Sequence, residues 1–331
     1  MVESRHRGAV AVVESNGQTA LTMGNTRQMI YPRSAIKPLQ AVFLIESGAA
    51  DAFGLSDSEL ALACASHNGE PRHVDGVRNW LARLGLDEGA LECGTHAPRR
   101  KRDNIQLRKD GFSPGPAHNN CSGKHCGFLS SAKYLGESTA GYIEKSHPVQ
   151  RAVLDVIADM ASVSFEKAPT GIDGCGIPVV GIPLESLAFA FARFVTGTSF
   201  GPARQSAAER IYQAMIREPF MVAGSERWCT RAMEAGSGAF IVKTGAEGVY
   251  CGAVPQAGVG IALKIDDGAP RAAECAMGAV LSGLGCLDLE QASGLVDSPV
   301  SNVAGREVGN IRPHKVIRDQ IMPLLDRKAA R

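Results

Sequence analysis

Three short motifs in the chain carry side chains that could perform nucleophilic chemistry. In the first, Ser34 and Lys37 are three residues apart, a spacing that places two side chains on one face of a helix. A serine hydroxyl becomes an effective nucleophile when a nearby base takes its proton, and a neutral lysine amine can be that base. Alternatively, Ser34 caps the helix and Lys37 points into water. The spacing is therefore compatible with a serine nucleophile but does not establish one.

The other two motifs are Ser66-His-Asn68 and Lys243-Thr-Gly245. The first offers a hydroxyl and an amide that could position a substrate and relay a proton. The second joins a cation and a hydroxyl to a glycine, which lets a substrate approach the backbone. Each alone also fits an ordinary polar turn or strand end. In the order S-x-x-K, S-x-N, K-T-G, the three resemble the signature of class A β-lactamases and penicillin-binding proteins, which indicates serine acyl transfer.

A stretch from Asn119 to Gly127 is dense in groups that bind metals, and the turn from Asp173 to Gly176 adds a thiol and a carboxylate. Thiolates and imidazole are ligands that zinc prefers. The sequence contains neither a C-x-x-C nor an H-x-x-x-H spacing. Two interpretations therefore stay open, a zinc site or buried thiols in tight turns.

Composition excludes several function classes. The 331 residues include 35 Lys and Arg against 34 Asp and Glu, a net charge of +1, which argues against a nucleic-acid partner. We interpret the basic cluster 99–102 as a solvated loop, within an irregular stretch over 94–120. Nine cysteines without an export signal are typical of a reducing compartment. No apolar run is long enough for a signal peptide core or a membrane span, so we expect a cytoplasmic protein without a membrane partner.

The two ends of the chain predict strands and the middle predicts helices. Strands are expected over 8–14, 18–23, 239–243, 249–253 and 259–265, with Asn16-Gly17 as a hairpin signal. Helices are expected over 34–46, 74–84, 147–161, 184–195, 203–216, 226–234 and 270–284. We therefore predict an α+β fold in one domain over 1–331, with an antiparallel sheet from about 8–30 and 236–312 and a helical part from about 34–235.

Four longer blocks of the sequence resemble the rhizobial-type (Rhizobium etli) L-asparaginases, a similarity that extends from about Gly8 to Ile311. The blocks are PRSAIKP at 32–38, CASHNGE at 64–70, NNCSGKH at 119–125 and GIDGCG at 171–176. The resemblance implies a serine-β-lactamase-like fold and a homodimer. It also implies hydrolysis of L-asparagine to L-aspartate and ammonia.

The same resemblance implies roles for individual residues. Two serine–lysine pairs would be catalytic, Ser34 with Lys37 and Ser66 with Lys243. One zinc ion per chain would be held by Cys121, Lys124 and Cys175, and it would help substrate handling without being essential for the chemistry. Because an amine binds a metal only when it is neutral, the metal must displace the proton of the lysine.

Four further residues are candidates for holding the carboxylate and the ammonium group of the substrate, namely Arg33, His67, Asn68 and Asp173. Each could equally form an ordinary salt bridge or turn bond. Either Ser34 or Ser66 could be the nucleophile, and we favour Ser34 because its base lies on the same helix face. Backbone N–H groups beside the nucleophile are the expected oxyanion donors.

Two other functions stay open at this point. A glutaminase of the same fold would act on a substrate one methylene longer, a difference worth about 1–3 kcal/mol in a pocket. A non-catalytic module that binds an amino acid or zinc would show saturable binding without ammonia release.

Overall fold

The computed structural model describes residues 1–315 and 317, and these residues form two units. The sheet unit consists of 1–35, 182–198 and the described residues from Arg231 onward. The helical unit consists of 36–181 and 199–230. The far end of the domain predicted over 1–331 lies outside the described residues.

Eleven strands occur among the described residues. They are β1 (Gly8–Glu14), β2 (Thr19–Met23), β3 (Met29–Ile30), β4 (Thr170–Ile172), β5 (Pro178–Val180), β6 (Ile182–Pro183), β7 (Ile241–Thr244), β8 (Val249–Val254), β9 (Val259–Ile265), β10 (Ser298–Ser301) and β11 (Glu307–Ile311).

Thirteen α-helices occur in the same part of the chain. They are α1 (Lys37–Glu46), α2 (Ala49–Ala52), α3 (Asp57–Ala63), α4 (Pro71–Arg83), α5 (Lys101–Lys109), α6 (Ser122–Leu135), α7 (Pro148–Ala161), α8 (Leu184–Thr196), α9 (Pro202–Arg217), α10 (Pro219–Ala223), α11 (Trp228–Ala235), α12 (Pro270–Gly283) and α13 (Leu289–Ala292).

The main sheet joins the two ends of the chain, as the sequence predicts. Its strand order is β2-β1-β9-β8-β7, and every neighbouring pair is antiparallel. The turn between β1 and β2 contains Gly17 at φ 88°, a conformation that glycine adopts without strain. Strands β8 and β9 are buried along almost their whole length, because helices α8 and α12 both contact them. The predicted α+β architecture, with a sheet from N- and C-terminal strands, is confirmed.

One helix groups differently from the sequence prediction. Helix α8 falls in the range 34–235 that we assigned to the helical part, but it packs on β1 and β9 in the sheet unit. Gly260 makes this close packing possible, because a Cβ atom there would lie 2.0 Å from the carbonyl oxygen of Ala188. Helix α8 belongs to the sheet unit because of this long-range contact, which the periodicity of the helix does not predict.

The helical unit contains helices that the sequence did not predict. Helix α5 lies inside the stretch 94–120 that we expected to be irregular, so that prediction is wrong for its residues. None of its side chains is buried, and i,i+4 bonds such as Gln106 to Asp110 support it. Helix α6 is buried along most of its length, but its first two turns include serine, histidine, cysteine and two glycines, which are weak helix formers. Tertiary burial therefore outweighs propensity there.

The helix predicted over 34–46 begins three residues later than expected. Residues Arg33–Ile36 form a 3-10 turn, and α1 starts at Lys37. Ser34 therefore does not cap α1, since the cap position is Ile36. Within the residues that the structure describes, no helix has both the length and the apolar character needed to cross a bilayer.

Candidate active site

In the helical unit, Lys37 and Ser66 form a buried amine–hydroxyl pair. Lys37 is the first residue of α1 and its exposed fraction is 0%. Its Nζ lies 3.3 Å from Ser66 Oγ and 3.2 Å from Cys121 Sγ, and it also donates to the carbonyl oxygen of Ala65. A buried amine at this distance from a hydroxyl is placed to exchange a proton with it. This contact joins one member of each serine–lysine pair that the resemblance implied.

Two thiols and a second amine are buried close to that pair. Lys124 Nζ donates to Cys175 Sγ at 2.9 Å, and the thiol of Cys175 donates in turn to the sulfur of Cys121. This hydrogen bond from Cys175, together with the nearby amine of Lys37, holds the pKa of Cys121 well below its ordinary value. The same bond raises the pKa of Cys175. Of the two thiols, Cys121 is therefore the one whose lowered pKa favours the thiolate form.

The charge state of Lys124 follows from opposing effects. Burial favours the neutral amine, but the sulfurs of Cys175 and Cys121 and the carboxylate of Asp173 stabilise the ammonium form more strongly, so the pKa of Lys124 is raised. Lys124 is thus an ammonium that bonds to sulfur.

The residues Cys121, Lys124 and Cys175 fit a zinc ion in their chemistry. Their two sulfurs and one nitrogen are buried close together, and the lowered pKa of Cys121 favours the thiolate that zinc binds. A metal ion would replace the protons that now bind this cluster together. Among the described residues, no group of three or more His, Cys, Asp or Glu side chains is arranged to hold a metal. A zinc ion bound by the two sulfurs would therefore need the lysine nitrogen as its third ligand.

The ring of His67 is fully engaged inside the protein. Its Nδ1 accepts a hydrogen bond from the backbone N–H of Gly69 at 3.0 Å, and its Nε2 lies 2.9 Å from Ser122 Oγ. The ring also stacks on His73 with a centroid separation of 4.8 Å. Burial lowers the pKa of His67 well below its ordinary value, so the ring is neutral. These bonds fit a structural role for His67 better than the predicted contact with substrate.

Asn68 is saturated in a similar way. Its Nδ2 donates to Glu70 Oε1 and to the carbonyl oxygen of Ser225, both at 3.0 Å, and its Oδ1 accepts from Arg227 at 3.1 Å. The side chain therefore ties the turn after Ser66 to the chain near Ser225, and the predicted substrate contact would need some of these bonds to break.

Glu70 accepts more of the hydrogen bonds in this network than His67 or Asn68 does. Its carboxylate accepts from the backbone N–H of Ser225 at 2.7 Å, from Ser225 Oγ at 2.7 Å and from Arg100 at 2.5 Å. Burial alone would raise the pKa of Glu70, but the hydrogen bonds from Ser225, Asn68 and Arg100 together lower it below its ordinary value. Glu70 is thus a buried carboxylate that organises its neighbours.

The sheet unit carries the remaining predicted catalytic residues, Ser34 and Lys243. Lys243 lies on β7 with an exposed fraction of 1%, and its Nζ donates to the carbonyl oxygen of Thr244 at 2.7 Å. The turn at Gly245 packs against the segment that bears Ser34, because a Cβ atom at Gly245 would lie 2.9 Å from the carbonyl oxygen of Pro32. The fold therefore brings the K-T-G motif beside the segment that bears Ser34 within this unit.

Arg33 has an unusual backbone. Its φ is 51°, in the left-handed region that costs energy for a residue with a side chain, and it immediately precedes Ser34. Residues held in this way cluster at functional sites. The remaining predicted substrate residue, Asp173, is half-buried in the helical unit, where its charge acts on Lys124.

Three of the amides beside the candidate nucleophiles are already bonded. The N–H of Ala35 donates to Pro32 at 3.1 Å, that of Ser66 to Val222 at 3.0 Å, and that of His67 to Asn120 at 3.2 Å. The expectation that such amides stabilise an oxyanion is therefore not met by these three.

Sequence reasoning did not identify Glu70 or Arg227 as part of this arrangement. Glu70 stands inside the block 64–70, where its proximity to Ser66 was a usable signal. Arg227 bonds to the carbonyl oxygen of Ser66 across 161 positions of sequence, and no local pattern marks it.

A family model described as L-asparaginase II matches residues 1–313 of the chain. No curated protein matches the sequence. Among solved structures, the chain is similar to a protein named Mglu, with 13% identity, a TM-score of 0.43 and coverage of 79% of this chain and 61% of that chain. The chain therefore spans less than two thirds of the length of Mglu.

Two further solved structures are similar. For a β-lactamase from Mycobacterium bovis the identity is 15%, the TM-score 0.37 and the coverage 79% of this chain and 88% of that chain. For the D-alanine carboxypeptidase AmpC from Burkholderia cenocepacia the values are 16%, 0.37, 79% and 88%. All three TM-scores are below 0.5.

Proposed function

We propose, on the premise that the chain belongs to the L-asparaginase II family, that it hydrolyses L-asparagine to L-aspartate and ammonia by serine catalysis with lysine bases. Family membership makes the chain an amidohydrolase of a small amide. The finer assignment is carried by one observation, the 3.3 Å contact between Lys37 Nζ and Ser66 Oγ in a fully buried setting. The motif order and the α+β architecture support a serine-β-lactamase-like fold of the rhizobial type.

The proposed reaction has two stages. A lysine amine takes the proton of the nucleophilic serine, Ser34 or Ser66, and the serine oxygen attacks the side-chain amide carbon of asparagine. The C–N bond then breaks, the lysine returns the proton to the leaving ammonia, and an acyl-enzyme ester remains. A water molecule hydrolyses this ester to aspartate and frees the serine. Ser34, Lys37, Ser66 and Lys243 are the proposed catalytic residues, and Arg33 and Asp173 are proposed to bind the charged groups of the substrate.

Three variants, Ser34→Ala, Ser66→Ala and Lys37→Met, should each lower ammonia release from asparagine by at least about a thousandfold, because each removes a nucleophile or a base. Ser131→Ala is the matched control, since Ser131 is a buried serine of the helical unit whose hydroxyl donates to the carbonyl oxygen of Gly127 in its own helix. Thermal unfolding of every variant verifies that it folds. Full ammonia release by all three variants would contradict the proposed chemistry.

Two measurements refine the assignment. Rates on asparagine and glutamine, compared side by side, separate an asparaginase from a glutaminase. Reaction with a diazoketone analogue of asparagine, followed by peptide mass analysis, identifies whether Ser34 or Ser66 forms the covalent bond. Saturable asparagine binding without ammonia would instead identify a binding module.

We further propose that Cys121, Lys124 and Cys175 hold one zinc ion per chain. A bound zinc ion would supply a fixed positive charge that assists substrate handling. Elemental analysis should find close to one zinc per chain in the wild type and none in Cys121→Ser or Cys175→Ser. Cys126→Ala, which changes another buried cysteine of α6, should keep the metal. Equal zinc content in all four proteins would contradict this assignment.

A further inference from the structure

Both peptide units that flank Ser66 are bonded at each end. In the unit before it, the carbonyl oxygen of Ala65 accepts from Lys37 Nζ, and the N–H of Ser66 donates to the carbonyl oxygen of Val222 at 3.0 Å. A peptide plane held at its oxygen and its nitrogen cannot rotate without breaking a bond.

The unit after Ser66 is held in the same manner, but by an arginine. The carbonyl oxygen of Ser66 accepts from Arg227 Nη1 at 3.0 Å, and the N–H of His67 donates to the carbonyl oxygen of Asn120 at 3.2 Å. The backbone direction at Ser66, and with it the direction of the Cα–Cβ bond toward Lys37, is thus determined on both sides.

Arg227 is itself located by the network around Glu70. The same Nη1 donates to Asn68 Oδ1 at 3.1 Å, and the chain two residues before Arg227 is bonded to Glu70 through the N–H and Oγ of Ser225. The arginine therefore reaches the Ser66 carbonyl from a segment that is anchored to the turn following Ser66.

From these contacts we infer that Arg227 is a positioning residue, which fixes the Ser66–His67 peptide and so keeps Ser66 Oγ in reach of Lys37 Nζ. This inference rests on the proposed function, in which Ser66 takes part in proton transfer or attack. Arg227 acts through the backbone of Ser66 and does not contact the substrate. The two hydrogen bonds of Arg227, to the Ser66 carbonyl oxygen and to Asn68 Oδ1, are called the clamp below. Misplacing a reacting group by about 1 Å can lower a rate by about a hundredfold, so the clamp matters for catalysis.

The kinetic test compares Arg227→Ala and Arg227→Lys with Arg217→Ala. Arg217 is a suitable control because it belongs to the same unit, its side chain is 62% exposed and it forms an ion pair with Asp57 at the surface. Loss of the clamp should lower kcat for asparagine by about 10- to 100-fold while KM changes by less than about threefold. The lysine variant should be intermediate, and millimolar guanidinium should restore part of the activity of the alanine variant.

A rise in KM with unchanged kcat would overturn the inference, because it would assign Arg227 to substrate binding. Unchanged kcat together with a lower melting temperature would also overturn it, since the arginine would then only stabilise the fold.

Amide hydrogen exchange supplies a readout that does not depend on activity. In Arg227→Ala, and to a smaller degree in Arg227→Lys, the amides of Ser66 and His67 should exchange at least about tenfold faster than in the wild type or Arg217→Ala. Unchanged exchange at these two amides overturns the clamp. If the wild type releases no ammonia but exchange still rises in the variants, the proposed function fails while the clamp stands.

Discussion

At the scale of single residues, the bonds of each buried polar group separate reactive side chains from structural ones. Every polar atom in the side chains of His67 and Asn68 has a partner inside the protein. Lys37, in contrast, faces the hydroxyl of Ser66 and the sulfur of Cys121, groups that can exchange protons with it. Leaving a buried polar group without a hydrogen bond costs about 1–3 kcal/mol. A ligand that displaced the present partners of such a group would have to offset this cost.

Glu70 makes stability depend on pH. Because its pKa is lower in the folded chain than in the unfolded chain, its contribution is fully present above about pH 4.3 and is lost as the pH falls further. We therefore expect the melting temperature of the wild type to fall between pH 6 and pH 3.5 more steeply than that of Glu70→Gln. Glu209→Gln, at a carboxylate that bonds only within α9, should follow the wild type. Parallel curves for all three proteins would contradict this role of Glu70.

At the scale of elements, glycines determine how closely the helices that carry the site approach one another. Helix α6 bears Lys124 and follows Cys121, and its Gly123 faces α3. A Cβ atom at Gly123 would lie 2.3 Å from the carbonyl oxygen of Leu62 and 2.5 Å from Leu62 Cγ. Since backbone atoms cannot move aside cheaply, this contact sets the distance between the two helices.

Gly123→Ala should therefore lower the free energy of unfolding by about 1–3 kcal/mol and weaken zinc binding, because α6 must shift to relieve the overlap. Gly201→Ala serves as control, since among the described residues only its chain neighbours would lie within 4 Å of the added Cβ position. Chemical denaturation and zinc titration measure the two effects. A Gly123→Ala protein as stable as the control would show that α6 tolerates closer packing than the structure indicates.

At the scale of the whole molecule, the chain alternates between its two units. It passes from the sheet unit to the helical unit between Ala35 and Ile36, so the S-x-x-K motif has its serine in one unit and its lysine in the other. The K-T-G motif belongs to the sheet unit and the S-x-N motif to the helical unit. The three motifs that the sequence connects by their order are thus distributed over both units.

We propose a homodimer for the assembled protein, as the resemblance to rhizobial-type asparaginases implies. Sedimentation equilibrium should give twice the chain mass of 34.9 kDa over the micromolar range, with or without zinc. Loss of activity on dilution, in parallel with dissociation, would show that the dimer supports catalysis. A monomer mass at every concentration would exclude the dimer.

The sequence by itself determined the strands at both ends, the hairpin at Asn16-Gly17, the α+β class and the motifs that bear reactive groups. These features depend on periodicity, turn chemistry and residue type, all of which act over a few positions. Only the tertiary structure decided that Lys37 meets Ser66 and Cys121, 29 and 84 positions away, and that Arg227 holds the Ser66 carbonyl. Such partners are chosen by helix packing and by the need of buried polar groups for hydrogen bonds, and neither leaves a local pattern in the chain.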